Sequence, residues 1–328
     1  MLEVNDKKLA GYTFIDLFAG LGGFHLALAS LGAECVYASE WDKHAKKVYK
    51  KNHGIEPDGD ITKVDENTIP EHDILCAGFP CQAFSIAGKR MGFEDSRGTL
   101  FFDIVRIVKA KRPKLVFMEN VKNFEAHDNG NTLEIVKRTM LELGYSFDYK
   151  VLNASDYGVP QARKRIYMVC FRNDIDPSTF TFPEKVELQK RVRDLLLPEN
   201  EVEKFCVNHS NATIFDDVNY TNTKNPIRVG IVNKGYQGER IYSIDGTAIT
   251  LSSNGGGVFS KTGGYLVNGK IRKLHPRECA RLMGYPDTFQ LDESNTQACK
   301  QLGNSVVVDV LQYIALSFAD TLNGVPKE

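Results

Sequence analysis

One of the seven cysteines has the sequence context of a nucleophile. Cys81 stands in A-G-F-P-C-Q-A-F-S, after an apolar run at residues 73–76 that predicts a strand, and it begins a loop that reaches about Gly98. A thiolate is a strong nucleophile and a good leaving group, so we expect Cys81 to take part in covalent catalysis. The cysteine count is odd and no C-x-x-C occurs, so neither a disulfide framework nor a metal site is predicted. Three cysteines in apolar, strand-like runs are predicted to be buried and inert: Cys35, Cys76 and Cys170.

A carboxylate and two arginines are predicted beside the same chemistry. Glu119 closes an apolar run at residues 115–118, and Arg163 and Arg165 stand where another strand-like run begins. Ligands of open parallel sheets bind at the carboxyl ends of the strands, so Glu119 should converge with Cys81. A charge run is usually a solvated face, but two arginines spaced i, i+2 before a strand should project from one side, toward the site.

A glycine-rich turn predicts a cofactor loop. The segment D-L-F-A-G-L-G-G at residues 16–23 follows the first predicted strand and opens the first helix, but it does not fit the dinucleotide pattern G-x-G-x-x-G. Glu40 ends the second strand, where an acid commonly holds ribose hydroxyls, and Asp60 follows a third segment. These positions favour a nucleoside-containing cofactor over a structural turn. Phe18 and Trp41 are candidate walls for a purine, or else core aromatics.

The elements that carry these residues alternate between strands and helices over the first 170 residues, which indicates an α/β fold with a mainly parallel sheet wrapped by helices. Asp42 is predicted to cap a helix. From residue 194 to about 270 the pattern changes to short strands and glycine-rich loops, which predicts a second, smaller domain. A helix resumes at residues 276–283, and residues 305–322 are predicted to form one long amphipathic helix. We expect a catalytic, cofactor-binding domain at 1–193 and 276–328, and the second domain at 194–275.

The composition is that of an ordinary globular protein. The 328 residues are 42% hydrophobic and 25% charged, with a net charge of −1. No membrane-length apolar run and no signal-like N-terminus is seen, so a cytoplasmic protein without a membrane partner is expected. The charge is nevertheless uneven. Residues 221–281 hold ten Lys and Arg against three acids, about +7, which points to contact with a phosphate backbone.

Five motifs together resemble those of the DNA cytosine-C5 methyltransferases, in the same order and over essentially the whole chain. They are F-A-G-L-G-G from residue 18, G-F-P-C-Q from 78, E-N-V from 119, Q-x-R-x-R from 161 and G-N-S-V from 303. The resemblance implies a Rossmann-like methyltransferase fold, S-adenosyl-L-methionine as cofactor and duplex DNA as partner. It implies a cofactor site formed by Phe18, Ala19, Gly20, Leu21, Gly23, Glu40, Trp41, Asp60, Ile61, Gly78, Pro80, Leu100, Asn304 and Val306.

The same resemblance assigns the chemistry. Cys81 would add to C6 of cytosine, which makes C5 nucleophilic enough to take a methyl group. Glu119 would hold and protonate N3, Arg165 would bind O2, and Arg163 would order the loop and the cysteine environment. No base for the C5 proton is evident, and a water is expected.

A target cytosine must be flipped out of the duplex, so DNA contacts are also implied. The variable region resembles the target-recognition domain of the HhaI-type members, which read GCGC. Gln237 would fill the hole left by the base, and Arg240 is the leading base contact, since Arg to guanine is the commonest specific pairing. Position 87 is commonly serine and position 254 commonly aromatic in such relatives, whereas this chain has Ala87 and Asn254. The implied DNA-binding residues are Gln82, Ser85, Ala87, Arg97, Gln237, Arg240, Thr250, Asn254, Gly256 and Gly257.

Three other functions stay open on the sequence. A DNA-binding module could keep the fold without catalysis, although Cys81, Glu119, Arg163 and Arg165 are all present. The same chemistry could act on tRNA, and a nicotinamide oxidoreductase could use Cys81, although the dinucleotide pattern is absent. The resemblance further implies a partner restriction endonuclease that acts on the same site, and we expect the methyltransferase itself to be a monomer.

Overall fold

The structure is a computed structural model that describes residues 6–80 and 100–324. Its strands are β1 (Thr13–Leu17), β2 (Glu34–Ser39), β3 (Ile74–Gly78), β4 (Leu115–Val121), β5 (Asp148–Asn153), β6 (Lys164–Phe171), β7 (Ala212–Ile214), β8 (Arg228–Val232), β9 (Arg240–Ser243), β10 (Gly264–Val267) and β11 (Lys270–Arg272). Its helices are α1 (Gly23–Ser30), α2 (Lys43–His53), α3 (Leu100–Lys111), α4 (Asn131–Glu142), α5 (Glu199–Val202), α6 (Pro276–Arg281), α7 (Asn295–Asn304) and α8 (Val308–Leu322).

The chain forms two compact units. Among the described residues, the six-stranded unit comprises 6–80, 100–152, 164–183 and 311–324, and the five-stranded unit comprises 153–163 and 184–310. These bounds differ from the functional domains predicted from the sequence, because residues 153–163, 184–193 and 276–310 group with the second sheet. The predicted assignment of functions to 1–193 with 276–328, and to 194–275, stays a prediction.

The first sheet confirms the α/β prediction and adds one reversed strand. Its order is β2-β1-β3-β4-β6-β5. The ladders of β1 with β2, β1 with β3 and β3 with β4 are parallel, whereas β6 runs antiparallel to β4. Four neighbouring strands therefore end at one edge, and β6 begins there.

Hydrophobic burial and helix caps explain why these segments take these forms. In β3 and β4 the apolar runs Ile74–Ala77 and Leu115–Met118 are buried residue after residue, as expected of central strands covered on both faces. Helix α3 buries Phe101, Ile104, Val105, Ile107 and Val108 in the same core. Asp42 caps α2 by accepting from the amides of His44 and Ala45 at 2.8 and 3.1 Å, which confirms the predicted cap.

The second sheet confirms that the glycine-rich region is a β structure. Its order is β11-β10-β9-β8-β7, with β9 and β10 parallel and the other neighbours antiparallel. Its strands surround a small core of Ile227, Val229, Val232, Ile241 and Phe259.

The predicted long helix from residue 305 is wrong at its start. Residues 305–307 are not helical, and α8 begins at Val308. The Ser305 hydroxyl is hydrogen-bonded to Tyr285 at 2.6 Å, and the Ser305 carbonyl accepts from Arg163, so this residue is committed to tertiary contacts. The stretch Asn295–Leu322 is long and apolar enough to span a membrane, but 78% of its most apolar window is buried inside the protein. That burial is typical of a core helix.

A buried ion pair ties the end of the second sheet to α6. Glu278 is 1% exposed and accepts two bonds from the Arg272 guanidinium, at 2.7 and 2.8 Å. The same carboxylate accepts from the amides of His275 and Leu197, each at 2.8 Å. Four donors thus converge on one carboxylate, which offsets the cost of burying its charge.

We expect Glu278→Ala to lower the free energy of unfolding by about 3–5 kcal/mol, because it leaves the Arg272 charge buried without its partner. Urea denaturation of both proteins measures the change. Glu199→Ala is the matched control, since Glu199 pairs with Lys270 at the surface, and we expect little effect. Equal losses from the two variants would contradict the role assigned to the buried pair.

Candidate active site

The candidate site lies at the edge where the four parallel-paired strands of the six-stranded unit end. The turn at residues 18–22 follows β1, Glu40 follows β2, Phe79 and Pro80 follow β3, and Glu119 lies near the end of β4. Loops at this edge are not committed to the ladders, which is why α/β proteins bind ligands there.

The glycine turn adopts a conformation that its sequence explains. Phe18, Gly20 and Gly22 all have positive φ, at 56°, 55° and 80°. Glycine takes this conformation without strain, whereas a residue with a Cβ does so at a cost. Space also matters at Gly22, where a Cβ would lie 2.3 Å from the His53 ring. At Gly20 the nearest atom would be 4.0 Å away, so a ligand can approach that backbone.

Glu40 holds the turn in this shape. Its carboxylate accepts from the Gly20 amide and from the Asp42 amide, each at 2.8 Å. Burial raises the pKa of Glu40, while these amides oppose the rise. A carboxylate has about four acceptor sites, so two amide bonds leave capacity for the hydroxyls of a sugar.

Two predicted cofactor residues have surroundings that the sequence left open. The Trp41 side chain is 82% exposed, so it is not a core aromatic, and it stands beside Glu40 as a free apolar wall. Phe18 is half-buried against the main core.

Asp60 accepts from the amide and the hydroxyl of Thr62, at 3.1 and 2.8 Å, and these bonds lower its pKa. It therefore caps the turn that begins at Ile61, besides any ligand contact.

The remaining predicted cofactor residues occupy several different elements. Ala19, Leu21 and Gly23 are buried in or just after the glycine turn, Gly78 ends β3, Pro80 is exposed and Leu100 begins α3. In the five-stranded unit, Asn304 is the exposed last residue of α7 and Val306 is buried in the link to α8.

An ion pair at the strand edge joins Glu119 to Arg165. Glu119 is 7% exposed, and its Oε1 lies 3.1 Å from Nε of Arg165. Antiparallel pairing brings them together, because Val121 in β4 is opposite Arg165 in β6. The side chain of Arg165 thus enters from the start of β6 where β4 ends. A carboxylate in a buried position beside a guanidinium can hold a polar ring through both groups.

Asn120 fixes the neighbouring strand end. Its side-chain amide donates to the Phe79 carbonyl at 2.9 Å, and its carbonyl accepts from the Val121 amide at 2.8 Å. Gly78 is opposite Glu119 in the β3–β4 ladder. The segment that leads into Cys81 is therefore tied to the strand that carries the acid.

Arg163 makes contacts of a different kind from Arg165. It is 2% exposed and donates to the carbonyls of Leu251, Gly303 and Ser305, at 2.9, 3.1 and 2.6 Å. A Cβ at Gly303 would lie 2.3 Å from Ser252, so backbones approach closely here. The side chain of Arg163 binds these backbone carbonyls within the five-stranded unit, whereas Arg165 contacts Glu119. These contacts do not support the prediction that the two arginines project from one side.

Most of the predicted DNA residues of the five-stranded unit lie on two loops that touch each other, and Arg240 begins β9 directly after the first loop. Gly238 packs against Gly256 and Gly257 so closely that a Cβ on it would meet the Gly256 carbonyl oxygen at 1.8 Å. The Gly238 carbonyl also accepts from the Phe259 amide at 2.8 Å. Gln237, Asn254, Gly256 and Gly257 are exposed, while Arg240 and Thr250 are half-buried.

Five predicted site residues lie outside the described residues: Cys81, Gln82, Ser85, Ala87 and Arg97. Their roles stay predictions from the sequence. Within the described residues, no group of three or more His, Cys, Asp and Glu could hold a metal ion.

A buried polar cluster under the glycine turn was missed from the sequence. The His25 ring stacks on His53 with ring centres 4.1 Å apart, and its Nδ1 lies 2.9 Å from the Tyr49 hydroxyl. His53 donates from Nε2 to the Leu21 carbonyl at 3.0 Å. Asp16 is fully buried, and burial raises its pKa well above the usual value. The signal for this cluster was polar residues on the apolar faces of α1 and α2, which periodicity alone assigns to solvent.

Comparison with known proteins places the chain. Residues 12–319 match the family of C-5 cytosine-specific DNA methylases. The chain belongs to this family. It is 64% identical to the Type II methyltransferase M.HhaI of Haemophilus parahaemolyticus, over 99% of this chain and 100% of that protein. It is 42% identical to M.SsoII of Shigella sonnei, over 95% and 81% of the two chains. The chain is therefore a cytosine-C5 DNA methyltransferase.

Solved structures agree on the fold. The S. pombe Dnmt2 methyltransferase superposes with a TM-score of 0.70 at 21% identity, over 95% of this chain and 99% of that one. An E. coli prophage protein described as a putative DNA modification methyltransferase gives 0.69 at 20% identity, over 95% and 100%. At such identities the likeness concerns the fold alone.

The family's cofactor is S-adenosylmethionine, and the strand edge fits it. The molecule carries ribose hydroxyls, an aromatic base and a positive sulfonium, and the edge offers a carboxylate at Glu40 and an exposed indole at Trp41. It has no phosphate, which agrees with the absence of the dinucleotide pattern at the glycine turn.

The two partly buried histidines predict how the free energy of unfolding depends on pH. Burial lowers the pKa of His25 to about 3 and also lowers that of His53. The unfolded chain therefore binds protons below about pH 6.5 that the folded chain does not, so stability falls as the pH drops below that value. Each histidine contributes at most about 1.4 kcal/mol per pH unit. The raised pKa of Asp16 acts in the opposite direction.

We expect His25→Phe to flatten this dependence, because phenylalanine cannot take up the proton and can keep the ring contacts. Urea denaturation at pH 7.5 and 5.5 measures the free energy of unfolding of both proteins. The loss between the two values should be smaller in the variant. An unchanged loss would show that His25 is not held neutral by burial.

Proposed function

We propose that the chain methylates C5 of a cytosine flipped out of duplex DNA, through a covalent bond between Cys81 and C6, with GCGC as its target. The observation that carries the proposal is the Glu119–Arg165 pair, at 3.1 Å, at the end of β4. It supplies an acid and a cation side by side, directly beside the strand that leads into Cys81. The identity of 64% to M.HhaI supports membership of a Type II restriction–modification system.

The pair fits one edge of a cytosine ring. Glu119 would protonate N3 and Arg165 would donate to O2, so both withdraw electron density as the thiolate of Cys81 adds to C6. The addition makes C5 nucleophilic. S-adenosylmethionine, when bound, supplies the methyl group that C5 attacks.

The later steps return the enzyme to its starting state. A base, for which we propose a water, removes the proton from C5, the electron pair of that C–H bond re-forms the double bond between C5 and C6, Cys81 leaves C6 as a thiolate, and N3 returns its proton to Glu119. Asn120 keeps the segment before Cys81 beside Glu119 by its bond to the Phe79 carbonyl. Arg163 acts by holding the backbone at Leu251, Gly303 and Ser305.

Some of the proposed cofactor residues bind the cofactor directly, and others give the backbone the shape that lets it bind. We propose that Glu40 binds the ribose hydroxyls, that Trp41 and Phe18 cover the adenine, and that Gly20 lets the cofactor approach the backbone. Asp60 would accept from the adenine amino group with Oδ2, which Thr62 does not use and which lies 3.7 Å from Nζ of Lys63. Asn304 and Val306 are proposed as contacts by resemblance.

Sequence recognition is proposed for the five-stranded unit. Its strands and loops hold most of the segment at 221–281 with a charge of about +7, which favours a phosphate backbone. We propose that Arg240 reads a guanine, that Gln237 enters the hole left by the flipped base, and that Thr250, Asn254, Gly256 and Gly257 contact the duplex near them.

Bisulfite sequencing of a plasmid treated with the purified protein tests the proposal. We expect conversion-resistant cytosines at GCGC sites only, and none after treatment with Cys81→Ser. That variant should still bind S-adenosylhomocysteine, followed through the fluorescence of Trp41, which is the single tryptophan. Methylation at other sequences would refute the target, and methylation by Cys81→Ser would refute the nucleophile. Transfer to tRNA but not to duplex DNA would refute the substrate.

A further inference from the structure

An exposed aromatic side chain next to Gln237 has no role in the function described so far. Tyr236 is 66% exposed, second only to Trp41 among the large apolar side chains of the described residues. Aromatic rings in water are unfavourable, and Tyr is enriched where one surface binds another. The proposed function assigns Trp41 to the cofactor. Tyr236 has no assigned ligand, so its exposed ring is a candidate for contact with a binding partner.

The loop around Tyr236 is built to hold it outward. The carboxylate of Glu239 accepts from the Tyr236 amide at 3.1 Å and from the Asn233 side chain at 3.2 Å. The Glu239 amide donates to the Tyr236 carbonyl at 2.8 Å. Both backbone groups of Tyr236 are thus bonded within the loop, which fixes the backbone and leaves the ring to the surface.

The residues on either side reinforce this arrangement. Gly235 has a φ of 71°, and a Cβ there would lie 2.8 Å from both the Arg228 guanidinium and Ile231. Its carbonyl accepts from Nε of Arg240 at 3.3 Å. Gly238 is pressed against Gly256 and Gly257. The loop therefore has little freedom to fold the ring back, and binding loses little conformational entropy.

The positive charge near the Tyr236 ring indicates which class of partner it binds. Lys234, Arg228 and Arg240 belong to the same loop and the adjoining strands β8 and β9, within the segment whose net charge is about +7. A protruding aromatic among cations suits nucleic acid, whose bases stack on aromatic rings while its phosphates meet the cations. A protein partner would not require that charge.

We propose that Tyr236 is a DNA-binding residue that packs against the bases next to the hole filled by Gln237. The proposal rests on the proposed function of this loop and adds a residue to it. A base pair beside the hole has lost its stacking neighbour, so an aromatic ring there restores contact that the flipped cytosine gave up. Tyr236 thereby stabilises the open duplex and contributes little on an intact one.

Binding measurements on a variant series test this role. Tyr236→Ala and Tyr236→Phe are compared with the wild type on a GCGC duplex, on the same duplex with an abasic target position, and on a duplex without the site, at one salt concentration. Tyr220→Ala is the matched control, because Tyr220 is another exposed tyrosine, 48% exposed, in the same unit.

We expect Tyr236→Ala to weaken the Kd roughly 5- to 100-fold on the GCGC and abasic duplexes, and much less on the duplex without the site. Tyr236→Phe should keep most of the affinity, since the ring remains. The KM for DNA should rise, while the KM for S-adenosylmethionine and the thermal unfolding temperature should match those of the wild type. Tyr220→Ala should behave as the wild type throughout.

Wild-type affinity of Tyr236→Ala for the GCGC duplex would overturn the proposal, as would an equal loss on all three duplexes. Failure of the wild type itself to prefer the GCGC duplex would instead refute the proposed target, and the series separates the two results.

Discussion

The arrangement of the active edge depends on one ion pair, between a buried carboxylate and a half-buried guanidinium, which joins neighbouring strands of opposite direction. Glu119 lies at the end of β4, where burial would make a lone carboxylate costly. Because β6 is antiparallel to β4, its first residues lie beside the last residues of β4, and Arg165 reaches Glu119 at 3.1 Å. A parallel strand at this position would place its carboxyl end, not its start, beside Glu119. The reversed strand thus supplies the cation that offsets the cost of burying an acid at this edge.

Strand β3, which neighbours β4, lies close to the Glu119–Arg165 pair. Gly78 is opposite Glu119, and Asn120 holds the Phe79 carbonyl, so the residues before Cys81 share one short stretch of sheet with the acid. Across β1, Glu40 performs a comparable task by holding the glycine turn from the end of the next strand. Glu119 and Glu40 are thus each in contact with groups of a neighbouring segment.

The features of this arrangement that depend on residues close together in the sequence could be predicted from the sequence. The ends of β1, β2, β3 and β4, the cap at Asp42 and the change to a β-rich second region were predicted because apolar runs, caps and glycine turns act over a few residues. The long motifs also carry the identity of the family. Glu119 and Arg165 were predicted to act together because each stands at the edge of a strand.

The parts that could not be predicted depend on contacts distant in sequence. The direction of β6 is set by pairing with β4, and nothing within residues 164–171 reports it. Arg163 and Arg165 are predicted to project from one side, yet Arg163 precedes β6 and binds three carbonyls, of residues 251, 303 and 305, which no local pattern indicates. The sequence predicts that α8 begins at Ser305, but it begins at Val308, because Ser305 is hydrogen-bonded to Tyr285 and Arg163 instead. Tyr236 was overlooked because a single aromatic in a loop becomes informative only when its exposure is known.

A double-mutant cycle on Glu119 and Arg165 tests the central claim, that the two side chains act as one unit. Single-turnover rates of methyl transfer are compared for wild type, Glu119→Gln, Arg165→Ala and the double variant, with S-adenosylhomocysteine affinity as the control for folding. Each single change should cost about 10²- to 10⁴-fold, and the double variant should lose hardly more than the worse single one, because either change disables the pair. Losses that multiply in the double variant would contradict the account.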